Sequence, residues 1–266
     1  MVKYGILVIS HGSRSADWVR LVDEAVAAVR LPETVPICSA YLEIVEGRLI
    51  QDGITQLEAL GVTDLIVVPL FVSSGSTHID EISYAFGVKR QPLLPTDMEP
   101  FAVRARIHWT SPIDDDPVIA EIVYGKLRRL SVQPSREIVM LVGHGSIEKG
   151  FHLLWRRGLE RLAARVRELG GFAEADSAML LPDQLPRKMK YWKVRKPDHT
   201  VIVAPLFLSE GYFTRQVIPA RLTGFAYRYG GEALLPHPYI SRWIEQQIRP
   251  YLPAASADTA YDAERG

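Results

Sequence analysis

Three side chains with metal-binding chemistry stand at the ends of apolar runs in this sequence. His11 closes the run in "ILVISHGSR", Glu43 follows the run in "SAYLEIVEG", and His78 comes shortly after "LIVVPLF" in "LIVVPLFVSSGSTH". Two imidazoles and a carboxylate suit a divalent transition ion, with nitrogen donors fitting Fe, Co, Ni or Zn and open positions left for a substrate. Spread over three loops, they do not form a local zinc-finger motif. Each also has an ordinary alternative. His11 could bond a loop carbonyl, Glu43 could favour the positive end of a helix, and His78 could simply open one. What favours a shared site is their joint position after three successive strands.

Such a site needs strands that carry the three residues to one edge. Strand patterns fall at 5–10, 35–41, 64–69 and 104–109, and helical patterns at 17–30, 48–60, 78–86 and 117–130. This β-α alternation predicts an α/β fold with a parallel sheet, and a run as apolar as "DLIVVPLF" predicts strands buried on both faces. In such sheets ligands bind outside the carboxyl ends of the strands. Gly12 and Gly75 at that edge are expected to allow positive φ or a close approach of backbone to ligand. Ser13 is expected to cap the first helix.

The pattern then repeats. "EIVMLVGHGS" matches "YGILVISHGS", "HTVIVAPLFLSEG" matches "VTDLIVVPLFVSSG", and "LLPHPYISRWIEQQI" matches "SPIDDDPVIAEIVYGKL". Three matched phrases in one order predict two tandem similar lobes, each a small parallel sheet flanked by helices, at 1–130 and 137–253. The polar segment "SVQPSRE", residues 131–137, is the expected linker, and the small, polar tail 254–266 is expected to be disordered. The second copy keeps a histidine, His144, but places Leu181 against Glu43 and Thr214 against His78. Leucine cannot ligate a metal, so a metal site belongs to the first copy. Arg215 is a candidate anion contact in the second. His108, His152, His199 and His237 have no second ligand at useful spacing and default to core or surface roles. The basic stretch "RKMKYWKVRK", 187–196, is either a solvated helix face or an anion grip.

Composition narrows the function. Thirty-one basic residues balance 31 acidic ones, which gives no overall charge to draw nucleic acid or an anionic membrane. No apolar run approaches the roughly 18 residues of a membrane span, and the N-terminus lacks signal-peptide features. The single Cys38 cannot form an internal disulfide or hold an iron–sulfur cluster, and a reducing cytoplasm is the natural compartment.

The phrases "LVISHGSR", "AYLE", "LIVVPLFVSSGSTH" and "LVGHGS" resemble the sirohydrochlorin cobaltochelatase/ferrochelatase family, the class II chelatases of the CbiX/SirB type in their long, two-lobed form. The resemblance runs to about residue 253. It implies a bilobal chelatase-like fold with a cleft between the lobes, and insertion of Co²⁺ or Fe²⁺, with Ni²⁺ a further option, into sirohydrochlorin for cobalamin or sirohaem. It also implies that His11, Glu43 and His78 hold the metal and carry the catalysis. Ser13, Arg14, Ser74, Gly75, Ser76, His144 and Arg215 are the accompanying candidates for contacts with the carboxylate-bearing tetrapyrrole. The chain departs from the family pattern in having two residues rather than one between Gly75 and His78, and "IVEGRL" where a proline is common. No cofactor beyond the substrate metal and no iron–sulfur cluster is expected, and with both lobes in one chain a monomer is the simplest assembly. A tetrapyrrole or metal carrier is the non-enzymatic alternative. A histidine-phosphatase reaction is disfavoured because Ser10 and Gly143, not arginine, precede the two histidines.

Overall fold

The computed structural model describes residues 2–252, so the expected tail at 254–266 lies outside the described residues. The first half runs β1 (Tyr4–Ser10), α1 (Ala16–Ala27), β2 (Ile37–Tyr41), α2 (Ile50–Ala59), β3 (Asp64–Pro69), α3 (Thr77–Ala85), β4 (Arg106–Trp109) and α4 (Pro117–Leu127). The second runs β5 (Glu137–Gly145), α5 (Lys149–Gly170), β6 (Glu174–Leu181), α6 (Leu185–Arg195), β7 (Thr200–Pro205), α7 (Ile218–Arg221), β8 (Arg228–Tyr229) and α8 (Pro238–Ile248). Helix α1 stops short of the expected residue 30, at Ala27, with Ala28 as its C-cap.

Each half builds a four-stranded, all-parallel sheet, ordered β2-β1-β3-β4 and β6-β5-β7-β8. Ile6, Leu7, Val8 and Ile9 of β1 are fully buried, as are Ile138 to Val142 of β5, which is the burial a parallel sheet covered on both faces requires. In the order 2-1-3-4 the chain leaves β1 toward one side and returns to pair β3 on the other. The carboxyl ends of β1 and β3 are therefore the topological switch point, where such sheets hold ligands.

The chain forms two compact units, and their bounds differ from the expected halves. One comprises the chain up to Phe71, Thr77–Pro112 and the segment from Pro238; the other comprises Val72–Ser76 and Ile113–His237. Helix α4 thus belongs with the second sheet, where it packs on α5 and β7, and α8 belongs with the first, where it packs on α1 and β3. Each helix buries its apolar face there. Trp243, Ile240 and Ile244 of α8 are wholly buried in the first unit, and Ile119 and Ile122 of α4 in the second.

The expected linker is firmly held. Residues Pro134–Arg136 form a 3₁₀ turn, and the buried Glu137 accepts hydrogen bonds from the Ser131 hydroxyl and from the backbone N–H groups of Val132 and Gln133.

Candidate functional site

Strand β1 delivers His11 immediately past its last residue. The β1–β2 pairing continues beyond both strands, with Leu42 N donating to Ser10 O (2.9 Å) and Glu43 N to His11 O (3.2 Å). Glu43 is thereby held beside His11, and its Oε1 lies 3.7 Å from His11 Nδ1. Gly12 makes this closure possible. Its φ is +98°, and a Cβ there would come within 2.1 Å of the Glu43 carbonyl oxygen. We expect Gly12→Ala to cost about 1–3 kcal/mol of stability, read from denaturant unfolding, and to displace Glu43.

His78, second residue of α3, completes the cluster. Its ring stands edge-on to that of His11, with centroids 4.8 Å apart and planes at 77°. Burial, reinforced by the neighbouring His11, holds its pKa below the usual histidine range and favours the neutral imidazole. Its Nδ1 lies 3.5 Å from Glu81 Oε2 without hydrogen-bond geometry. The His11 Nδ1 lies 3.3 Å from the Gly12 carbonyl oxygen. The Glu43 carboxylate thus stands on the Nδ1 side of His11, while His78 Nδ1 is buried without a hydrogen bond. Glu81 was not singled out in the sequence, although its spacing of three from His78 on a helix was the available signal.

The three side chains are half-exposed rather than enclosed: 42% for His11, 55% for Glu43 and 37% for His78. Among the described residues no group of three or more His, Cys, Asp or Glu side chains is placed, as it stands, to hold a metal ion. The arrangement is an open, loosely spaced donor set.

The second sheet repeats the frame without the donors. His144 lies in β5 next to Gly145, with Nδ1 3.0 Å from the Gly145 carbonyl oxygen. A Cβ on Gly145 would meet the Leu181 carbonyl oxygen at 2.4 Å, so Leu181 occupies the place of Glu43 as expected. The expected match of Thr214 to His78 needs correction. The ring edge-on to His144 is that of Phe213, at 5.1 Å and 86°, whereas Thr214 is 2% exposed and bonds within its own loop to Gly211. The cause is a π-helical turn over Phe213–Val217, whose wider winding rotates side chains away from the register of the α-helical α3.

Several other candidates are placed differently from expectation. Ser13 does not cap α1. Its Oγ accepts from Ser15 N, and it is Ser15 that caps the helix by accepting from Trp18 N. Gly75 has no positive φ, and its close approach is to protein, not to an open space for ligand: a Cβ would meet the Phe151 carbonyl oxygen at 2.6 Å and Trp155 N at 2.8 Å. Ser74 donates from its N–H and hydroxyl to Asp114 Oδ1 at 2.8 and 3.1 Å, and Ser76 N donates to Ser73 O at 3.1 Å. Residues 74–76 are thus committed to internal contacts. Arg14 is exposed three residues after His11, and Arg215 is exposed and pairs with Glu210 at 3.2 Å.

The basic stretch divides on α6. Lys188 Nζ and Trp192 Nε1 both donate to Asp176, at 2.7 and 2.8 Å, and Lys196 pairs with Glu174, whereas Arg187, Lys190, Tyr191, Lys193 and Arg195 are exposed. His108 Nε2 lies 2.9 Å from Asp64 Oδ1, and His152 Nδ1 3.1 Å from the Ser146 carbonyl oxygen, both structural roles. Burial pushes the Cys38 thiol up to about 11, which keeps it a thiol rather than a metal-binding thiolate. No helix among the described residues is long and apolar enough to cross a membrane.

A duplicated parallel α/β protein with a His-Glu-His set at the switch point of one sheet is the class that fold and site define. The sequence model of the CbiX family matches residues 5–130 and 138–251, and the chain belongs to that family. The sirohydrochlorin cobaltochelatase of Methanothermobacter thermautotrophicus is 25% identical over 132 residues, covering 47% of this chain and 92% of that protein. SirB from Bacillus subtilis with Fe³⁺ shares the fold at a TM-score of 0.72 and 19% identity, over 97% of this chain and 98% of that one. The sirohydrochlorin chelatase SirB of the subspecies spizizenii in complex with cobalt does so at 0.67 and 19%, over 93% and 94%.

Proposed function

We propose that this protein is a sirohydrochlorin chelatase, inserting a divalent metal into the free macrocycle, with His11, Glu43 and His78 presenting the ion. The observation that carries the proposal is the convergence of these three donors at the switch point of the first sheet, against Leu181 and Phe213 at the matching places of the second. The curated relatives named as sirohydrochlorin cobaltochelatases support the substrate.

The geometry suits transfer better than storage. Insertion must give the metal up to four ring nitrogens, so half-exposed, loosely spaced ligands are an advantage over a closed cage. Two pyrrole protons must also leave. A neutral imidazole can ligate and also accept a proton near pH 7, and the Glu43 carboxylate offsets part of the ion's charge. The SirB structures hold Fe³⁺ and cobalt, and imidazole with carboxylate suits Co²⁺, Fe²⁺ and Ni²⁺ alike. Arg14, exposed three residues after His11, is a cationic candidate for a peripheral carboxylate of the macrocycle, with Ser13 next to it. A monomer in a reducing cytoplasm fits a chain with two sheets and one cysteine.

The test is an anaerobic absorbance assay with sirohydrochlorin and either Co²⁺ or Fe²⁺. Loss of the free-base spectrum beyond one equivalent per protein, faster than without protein, is the expected result. A spectrum that shifts at one equivalent and then stays fixed would overturn the proposal in favour of a carrier.

A further inference from the structure

Ile44, next to Glu43, is held where a β-branched residue rarely goes. Its φ is +75°, and apart from Asp114 it is the only non-glycine residue at positive φ among the described residues. Val45 N donates to Glu43 O at 2.9 Å across it, an i to i+2 bond that makes a tight γ-turn of the strained, positive-φ kind. The core does not impose this. The residue is 45% exposed and lines an open cavity of about 650 Å³ with Ser13, Arg14 and Val45.

The surroundings hold the turn from both ends. Glu43 is bonded through its N–H to His11 and through its carbonyl to Val45, Arg48 N returns to Val45 O at 3.2 Å, and Tyr41 N closes on Arg48 O at 2.9 Å. The Arg48 guanidinium is fixed in turn by two bonds to Asp23, at 2.8 and 2.6 Å. In the second sheet the carboxylate has become Leu181, and the residue after it is Pro182, whose ring forbids positive φ. Strained turn and carboxylate occur together, and where one is lost so is the other.

We infer that Ile44 is a positioning residue: its strained turn sets the Glu43 carboxylate beside His11 before a metal arrives. Strain of this kind persists where surrounding structure over-determines it and is concentrated at working sites. The inference rests on the reading of Glu43 as a ligand of the substrate metal.

Two substitutions test it, with Co²⁺ affinity and Tm as readouts. Among the described residues the Ile44 N–H donates no hydrogen bond, so Ile44→Pro removes no donor in use there while forbidding the turn. It should weaken Co²⁺ binding about 10- to 100-fold, the usual effect of losing a group that orients a ligand. Ile44→Asn tolerates the left-handed region and should keep the affinity within about two-fold while Tm holds or rises. A folded Ile44→Pro variant with wild-type affinity overturns the inference, as does equal loss in both variants or a fall in Tm for Ile44→Asn. If Ile44→Pro does not fold, Ile44→Asn decides through its paired affinity and Tm. Co²⁺ binding that is insensitive to Glu43→Gln also overturns it, since no ligand would remain to be positioned. If wild-type protein inserts no metal yet these differences in Co²⁺ binding appear, the proposed function fails and the role of Ile44 stands.

Discussion

His11→Ala should lower the rate of metal insertion about 10²- to 10⁴-fold while leaving the protein folded. The residue stands past the end of β1 with its side chain 42% exposed, and its contacts are the Gly12 carbonyl oxygen, Glu43 and the edge of His78. Nothing in the core leans on it, so stability should change by no more than about 0.5 kcal/mol. Binding of the metal-free macrocycle should change little, because a flat ligand loses one contact rather than its seat. Fluorescence titration of sirohydrochlorin beside the insertion assay separates these effects. Near-normal insertion by the variant would remove His11 from the reaction. On the proposed reading, in which the three donors act on one ion, adding Glu43→Gln to His11→Ala should cost far less than the product of the two separate losses.

The legible part of this molecule was what local pattern controls. Unbroken apolar runs located the strands, since a strand buried on both faces leaves no room for polar residues, and the repeat of "HGS" and "PLF" revealed the duplication. His11, Glu43 and His78 could be grouped because parallel strands put all their carboxyl ends at one edge. The features that escaped depend on geometry with no local signature. Which sheet α4 and α8 cover is decided by packing, and the amphipathic pattern of a helix does not name its partner. Phe213 replaced Thr214 as the counterpart of His78 because a π-helical turn shifts the winding. Gly75, which looked like room for a ligand, is room for Trp155 and the backbone of α5. Ile44 is the least legible: a β-branched residue argues for extended chain, and its positive φ follows from the hydrogen bonds on either side.

The largest expected effect on stability lies far from the donors, at Glu137. This carboxylate is 2% exposed at the first residue of β5, and Arg228 of β8, two strands away, donates to it at 2.7 Å. Burial alone would disfavour its charge. Hydrogen bonds from Ser131, Val132 N, Gln133 N and Arg228 outweigh that, and its pKa lies below the usual carboxylate range. Glu137→Ala leaves two backbone N–H groups without their acceptor and takes from the Arg228 guanidinium, itself 36% exposed, one of its two acceptors, the other being the Leu130 carbonyl oxygen. It should cost about 3 kcal/mol, the upper end of the range for leaving buried donors unsatisfied. Glu137→Gln keeps an acceptor and should cost less. The pH dependence gives a second, independent check. A depressed carboxylate contributes its stability fully above its unfolded pKa, near 4.5, and loses it as pH falls through the lower folded value. The stability gap between wild type and Glu137→Gln should therefore be constant near neutrality and narrow in acid, as followed by urea unfolding across pH. A gap independent of pH down to full protonation would mean that Glu137 stabilises by packing and hydrogen-bond count alone, with its charge contributing nothing.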